Sequence, residues 1–302
     1  MTAPVIINGV TIDPTFAEAF PMVGTRIIVT ARTERWALTA GQAFTGFATS
    51  VIACGCEAGI ERQLSPDQTP DGRPGVSILL FAMGDDALKS QLTTRLGQTI
   101  LTCPSTACFA GLDQGKKAPL GNMIRYFGDG YQLSKLVDGK RYWRIPVMEG
   151  EFLCADYTYY QPAVGGGNLL ILADDGEKAL IAAERAADAM RAVPNVVLPF
   201  PGGVVRSGSK VGSKYKALFA STNDAFCPTL KGLPHTQLSP ETGAVLEIVI
   251  DGLSFEDVAA CTTAGIKALT QAGRESGVHR ISAGNYGGNL GPYHFKLHEL
   301  LP

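Results

Sequence analysis

Between Gly202 and Pro228 the chain reads GGVVRSGSKVGSKYKALFASTNDAFCP, a run dense in small residues, hydroxyls and lysines. The glycines leave backbone N–H groups open to a ligand. Ser207, Ser209 and Ser213 add donors, and Lys210 and Lys214 add positive charge. A loop of this make-up suits an anion. Its segment GVVRSGSK nearly spells a nucleotide-binding phosphate loop, which needs G-x-x-x-x-G-K-S/T between a strand and a helix. Ser209 is one residue too many between Gly208 and the lysine, and VGSKYKALF continues with no clean helix. No Walker-type aspartate follows an apolar strand at a suitable place. Nucleotide hydrolysis is therefore set aside; an anion-accepting loop and a solvated surface loop both remain open. Just downstream, ASTNDAFCP places Ser221, Thr222, Asn223 and Asp224 in a row. Such a row either forms a turn or reads the polar edge of a heterocycle.

Glu247 is the second candidate. AVLEIVIDG alternates Leu246, Ile248 and Ile250 on one face with Glu247, Val249 and Asp251 on the other, as a strand does. A carboxyl among such neighbours is either on an exposed sheet face or half buried. In the second case desolvation raises its pKa and makes it an acid or base near neutrality. Other chemistries find little support. Cys54 and Cys56 are too close for a usual zinc pair, Cys103 and Cys108 have no matching second pair, and the histidines form no H-E-x-x-H. Cys227 as a nucleophile lacks a visible base, and there is no G-x-S-x-G elbow.

The elements that would position these residues occur in the same order twice. In the first half RIIVTA, FATSVIAC and GVSILLFA read as strands and ILTC as a closing one. TERWALTAGQAF, starting near Thr33, and GDDALKSQLTTRLGQTI read as helices. Leu88, Leu92 and Leu96 recur at four-residue spacing, and Asp85 or Asp86 is placed to cap that helix. In the second half NLLILA, NVVLPF, AVLEIVIDG and VHRISAGN read as strands. DDGEKALIAAERAADAMRAV and SFEDVAACTTAGIKALTQAG read as helices, the latter opened by a Ser254/Asp257 capping box and followed by Gly273. Strand–helix–strand, insert, strand–helix–strand is the ferredoxin-like βαββαβ order. The fold class expected is α+β, two ferredoxin-like lobes with long inserts, 1–146 and 147–302, with the boundary near Pro146. Long inserts on such a scaffold tend to carry function, and the Gly202–Pro228 run lies in one.

Several of these segments together resemble formylmethanofuran:tetrahydromethanopterin formyltransferases. The likeness runs over nearly the whole chain and rests on NGVTIDPTFAEAF, TGFATSVI, CEAGIE, TPDGRPGV, FGDGYQ, IPVMEGEF, PFPGGVV, SKVGSK, ASTNDAFCPT, EIVIDGL and ISAGNYGGNLGPY. The resemblance implies transfer of a formyl group between N5 of tetrahydromethanopterin and the amine of methanofuran, with no tightly bound cofactor. Both carriers act as substrates. It implies a proximal N-terminal and a distal C-terminal lobe, and a homo-oligomer whose cleft lies at a subunit interface. It makes Glu247 the residue beside the formyl carbon. It adds Asn285 and Tyr286 to the substrate-binding set of Ser207, Ser209, Lys210, Ser213, Lys214, Thr222, Asn223 and Asp224. The near-neutral composition is similar to the branch from methylotrophic bacteria, which implies amidohydrolase-like partner subunits in a formyltransferase/hydrolase complex. A non-catalytic pterin-binding or scaffold subunit of such a complex is the alternative.

Composition sets the outer limits. A chain of 302 residues, 45% apolar, can bury two cores. A net charge of −2 and only 18% charged residues argue against a nucleic-acid partner. The N-terminus has no basic, apolar leader and no run is long enough for a membrane helix. With seven cysteines, reduced thiols and a cytoplasmic enzyme are expected.

Overall fold

The computed structural model describes residues 3–289 and 291–301. The chain divides into two compact units, Met22–Ala163 and Met1–Pro21 with Val164–Pro302. Neither division falls at Pro146, where the sequence places the boundary. The reason lies in strand pairing. Gly150–Ala155 pairs with both Lys140–Val147 and Ala107–Ala110, so it stays with the first unit. The N-terminal hairpin, Val5–Ile7 and Val10–Ile12, turns at Asn8 (φ 48°) and Gly9 (φ 78°) and pairs instead with Val278–Ser282. Two positive φ angles in a two-residue turn are what the Asn-Gly pair supplies.

The Met22–Ala163 unit is built on β1 (Phe16–Thr30, of which residues 22–30 lie here), α1 (Glu34–Thr45), β2 (Glu57–Leu64), β3 (Gly75–Ala82), α2 (Asp85–Arg95) and β4 (Ala107–Ala110). The strands lie in the order β4–β1–β3–β2, all antiparallel, which is the ferredoxin-like arrangement. α1 starts beside Thr33, where the sequence places it, and the Thr33 side chain caps it by accepting from the Trp36 N–H. Leu88, Leu92 and Leu96 are fully buried with Ile27, Val29, Phe44 and Ile78. Three local expectations are corrected. Ser50 caps a short helix, Val51–Cys54, so FATSVIAC is not the second strand; that strand is β2, beyond the left-handed Gly55. ILTC is not the closing strand, because a π-helical turn, Leu96–Ile100, extends α2 and buries Ile100 as well. Asp85 does not cap α2. Its carboxylate instead accepts from the Tyr160 hydroxyl (2.7 Å) and Lys116 Nζ (2.9 Å).

The other unit repeats the plan with β5 (Tyr157–Ala173, of which residues 164–173 lie here), α3 (Gly176–Arg191), β6 (Val196–Val197), β7 (Ala244–Gly252), α4 (Phe255–Ala272) and β8 (Val278–Ser282). The order β8–β5–β7–β6, again antiparallel, is the same topology. NVVLPF contributes only the two residues of β6, since Pro199 ends the run before a longer ladder can form. α3 buries an alanine face (Ala179, Ala182, Ala183, Ala186 and Ala187) and packs against α4. Gly265 of α4 sits where a Cβ would meet Met190 Sδ at 2.8 Å, so the small residues set the helix spacing. Ser254 caps α4 by accepting from the Asp257 N–H (3.1 Å). The Asp257 carboxylate completes no reciprocal box; it accepts from Ser254 Oγ (2.6 Å) and Asn195 Nδ2 (3.0 Å). The insert between β6 and β7 holds the short hairpin Lys210–Val211/Ala220–Ser221 and three 3-10 turns, Pro201–Gly203, Asp224–Phe226 and Pro228–Leu230. Among the described residues no helix follows Lys210 directly, which fits the rejection of a phosphate loop.

Candidate active site

Glu247 lies in the middle of β7, opposite Leu170 of β5. Ile248 and Ile250, its alternate neighbours, are fully buried in the core. Glu247 therefore points to the other face of the sheet, the face that the β6–β7 insert covers. Val205 fixes the insert there by exchanging both backbone hydrogen bonds with Glu247 (2.7 and 2.9 Å). The result is a carboxyl on a rigid strand beneath a loop.

Two adjoining cavities meet at Glu247. The first, about 480 Å³, is lined by Ser209, Lys210, Asn223, Asp224, Asn285 and Tyr286 from the predicted set. Asp13, Thr15, Asn168, Gln237 and Ser282 also line it. The second, about 340 Å³, is lined by Ser207, Arg206, Asn223, Phe226 and Cys227. Seven predicted residues, Glu247 included, thus share one cavity, and Ser207 reaches the next. Ser213, Lys214 and Thr222 line neither. Ser213 Oγ accepts from the Tyr215 N–H within the hairpin (3.0 Å), Lys214 is exposed, and Thr222 pairs with Cys227 Sγ (3.3 Å). The hairpin carries Ser213 and Lys214 away from the cavities, which the loop's composition alone does not show.

The charges are arranged in opposition. Lys210 Nζ meets Asp224 at 2.6 Å, and His235 Nε2 lies 3.4 Å from the same carboxylate. The Lys210 hydrogen bond holds the Asp224 carboxyl below its ordinary value. Lys210 is therefore matched by a counter-ion within the site. Asp13 carries the Arg280 guanidinium (Nε to Oδ1 2.8 Å, Nη2 to Oδ2 2.7 Å). Among the described residues Glu247 has no such cation. Burial alone lifts its pKa from 4.5 to about 7. Burial first, then the neighbouring Glu247 charge, also pushes the Tyr286 phenol up. A carboxyl poised near 7 beside a phenol and the Asn223 carboxamide can move a proton and donate to a developing oxyanion. No group of three or more metal-ligating side chains occurs among the described residues.

The raised Glu247 pKa has a thermodynamic signature. Below pH 4.5 both folded and unfolded chains hold the proton. Between 4.5 and 7 the folded chain holds more protons than the unfolded one, so stability falls as pH rises. Above 7 the full cost applies, about 3 kcal/mol for a shift of this size. Glu247→Gln is expected to be more stable than wild type at pH 8 by an amount approaching that, with the gap closing toward pH 4.5. Urea unfolding at the two pH values measures it.

The comparisons with known proteins decide the family. Residues 5–147 match the family model described as formylmethanofuran-tetrahydromethanopterin formyltransferase, and residues 150–300 match that of its proximal lobe. The chain belongs to the formylmethanofuran–tetrahydromethanopterin formyltransferase family. The family's proximal lobe is thus the C-terminal one, the reverse of the expected labels. The formyltransferase of Methylococcus capsulatus is 66% identical over 296 residues, spanning 98% of this chain and 99% of its own. A Methylorubrum extorquens protein, named as one of the subunits of a formyltransferase/hydrolase complex, is 56% identical over 301 residues, covering 98% and 97%. Among solved structures, the formyltransferase/hydrolase complex of Methylorubrum extorquens with methylofuran matches with a TM-score of 0.97 at 55% identity, covering 99% of both chains. The Methanosarcina barkeri formyltransferase matches with a TM-score of 0.93 at 47% identity, covering 98% of this chain and all of that one.

Proposed function

We propose that this formyltransferase moves a formyl group between N5 of tetrahydromethanopterin and the primary amine of methanofuran with Glu247 as the proton carrier. The observation that carries the role is a half-buried carboxyl, with no cation of its own among the described residues, on a rigid strand at the floor of a polar cavity. The amine attacks the formyl carbon and the carbonyl oxygen becomes an oxyanion. The amine proton passes to the Glu247 carboxylate. Glu247 returns that proton to N5 as the C–N5 bond breaks. The products are the formylated amine and the N5–H pterin, and Glu247 ends as it began. Asn223 and the Tyr286 phenol supply donors for the oxyanion, while Asn285, whose amide is bonded to Thr15 and Phe16, fixes the wall of the cavity. Ser207, Ser209, Lys210 and Asp224 are read as polar contacts to the carriers. Lys214, exposed on the hairpin, is a contact for an anionic tail.

The Methylorubrum relative supports a wider reading. The chain serves as the formyltransferase subunit of a complex with amidohydrolase-like subunits and pairs with further copies of itself. The direction in that setting runs from formyl-tetrahydromethanopterin to formyl-methanofuran. Seven free thiols suit a reducing, cytoplasmic compartment. No helix among the described residues is long and apolar enough to cross a membrane. The direct test uses purified chain, formyl-tetrahydromethanopterin and furfurylamine as a minimal acceptor. Formylfurfurylamine well above the uncatalysed rate is expected. Its absence would favour a non-catalytic subunit.

A further inference from the structure

The active-site cavity owes one wall to residues far from Glu247 in sequence. The segment 282–286 leaves β8 and carries Asn285 and Tyr286 into the cavity. Two buried side chains hold it there. Glu18, on β1 and 1% exposed, accepts from the backbone N–H groups of Tyr286 (2.7 Å), Gly288 (3.1 Å) and Gly291 (2.7 Å). Asn168, on β5 and 6% exposed, clasps Gly284 from both sides: Oδ1 accepts from its N–H (2.6 Å) and Nδ2 donates to its carbonyl (3.1 Å). Asn285 Nδ2 adds bonds to Thr15 Oγ1 (3.0 Å) and the Phe16 carbonyl (3.2 Å). A carboxylate that gathers three backbone donors is an expensive group to bury without purpose. Here its purpose is the shape of a loop.

We propose that Glu18 and Asn168 are positioning residues for formyl transfer, which hold the 284–288 loop so that Tyr286 and Asn285 close over Glu247 and exclude water from it. The inference rests on the Glu247 proton-carrier reading and adds the residues that sustain it. Neither Glu18 nor Asn168 touches a reacting atom in this scheme. Each acts through the loop, whose loosening hydrates the Glu247 carboxyl and misplaces the Tyr286 phenol. Hydration removes the desolvation that raises the Glu247 pKa, so that pKa moves down. The other titratable groups facing Glu247 are Asp13, with its Arg280 partner, Lys210, Asp224 and Tyr286 on one side, and Arg206 and Cys227 on the other. Changing the clasp substitutes none of these, and of them only Tyr286, which Glu18 holds, moves with the loop.

The test compares kcat, and the pH dependence of kcat/KM for formyl-tetrahydromethanopterin with furfurylamine as acceptor, in wild type, Asn168→Ala and Glu18→Gln, after folding is checked by circular dichroism. Asn168→Ser replaces Asn168→Ala should the latter not fold. Both variants are expected to lose roughly a hundredfold in kcat, as a small misplacement of catalytic groups can cost. The acid limb near 7 is expected to move down by about one pH unit. Glu18→Gln also removes a negative charge, which lowers the limb by itself. Asn168→Ala changes no charge, so its shift reports hydration alone. A fall in kcat with the Asn168→Ala limb unmoved would make the clasp merely structural and overturn the proposal, as would unchanged kcat. A wild-type profile flat through 7 would remove the Glu247 reading and the proposal with it.

Discussion

Glu247→Gln is expected to lower kcat for formyl transfer by about 10²- to 10⁴-fold, the usual contribution of a positioned acid–base group. Glutamine keeps the size and the hydrogen-bonding reach of the carboxyl but can neither take the amine proton nor return it to N5. The loss should fall on kcat rather than on KM, since the rest of the cavity is unchanged. The same substitution removes the cost of ionising a half-buried carboxyl and stabilises the fold above pH 7. A variant that gains stability while losing activity is the pattern of a strained functional group. Single-turnover transfer with saturating formyl-tetrahydromethanopterin measures the chemical step. Near-normal kcat in Glu247→Gln would show that the proton travels by another route.

The second large effect concerns the Met22–Ala163 unit. Arg26 on β1 makes a bidentate ion pair with Glu61 on β2 (Nε 2.8 Å, Nη2 2.7 Å), and Ser77 Oγ donates to the same carboxylate at 2.6 Å. The Glu61 side chain is 3% exposed. Removing one member of a buried pair leaves the other charge in a poor environment and typically costs 3–5 kcal/mol, so Glu61→Ala should lower the unfolding free energy by about 4 kcal/mol. Replacing both partners, as in Arg26→Met with Glu61→Leu, should restore part of it, because an apolar pair of similar volume avoids burying one charge of a broken pair. Urea midpoints at constant slope give the numbers. A loss under about 1 kcal/mol for Glu61→Ala, against the range expected for a buried pair, would mean that water already reaches it.

The repeated βαββαβ order is legible in the sequence because amphipathic helices and apolar strands leave strong periodic signals. Leu88, Leu92 and Leu96 mark α2, and the alternation around Glu247 marks β7 and identifies its two faces. Errors fall where local signals compete. FATSVIAC is apolar enough for a strand, yet Ser50 can cap a helical turn and Gly55 can end it, and that is what forms. ILTC follows leucines spaced by four, and Ile100 simply continues that stripe as α2 winds on. The two family models divide the chain at 147/150, beside Pro146; the compact units break elsewhere because residues 16–19 and the N-terminal hairpin pair with strands near the C-terminus and Gly150–Ala155 pairs back with the first unit, contacts that no local pattern encodes.

The site divides along the same line. Glu247, Asn223, Asp224, Asn285 and Tyr286 are found from motifs, and they do converge. The lysine-rich loop reads as either an anion-accepting loop or a solvated one, and the Lys210–Asp224 pair, which spans fourteen residues, is revealed only by the fold. Lys214 and Ser213 share the loop's composition and not its position, since the Lys210–Val211/Ala220–Ser221 hairpin carries them outward. Glu18 and Asn168 give no local signal of a role. Their partners lie 116 to 273 residues away.

The measurement closest to the central claim is the pH profile of kcat/KM for formyl-tetrahydromethanopterin, with furfurylamine as acceptor, run side by side on wild type and Glu247→Gln. Burial of the Glu247 carboxyl predicts an acid limb near pH 7 in wild type. That limb should be absent from the low residual rate of the glutamine variant. A limb that persists near 7 in Glu247→Gln, or a wild-type profile with no ionisation there, would contradict the assignment of Glu247 as the group that carries the proton.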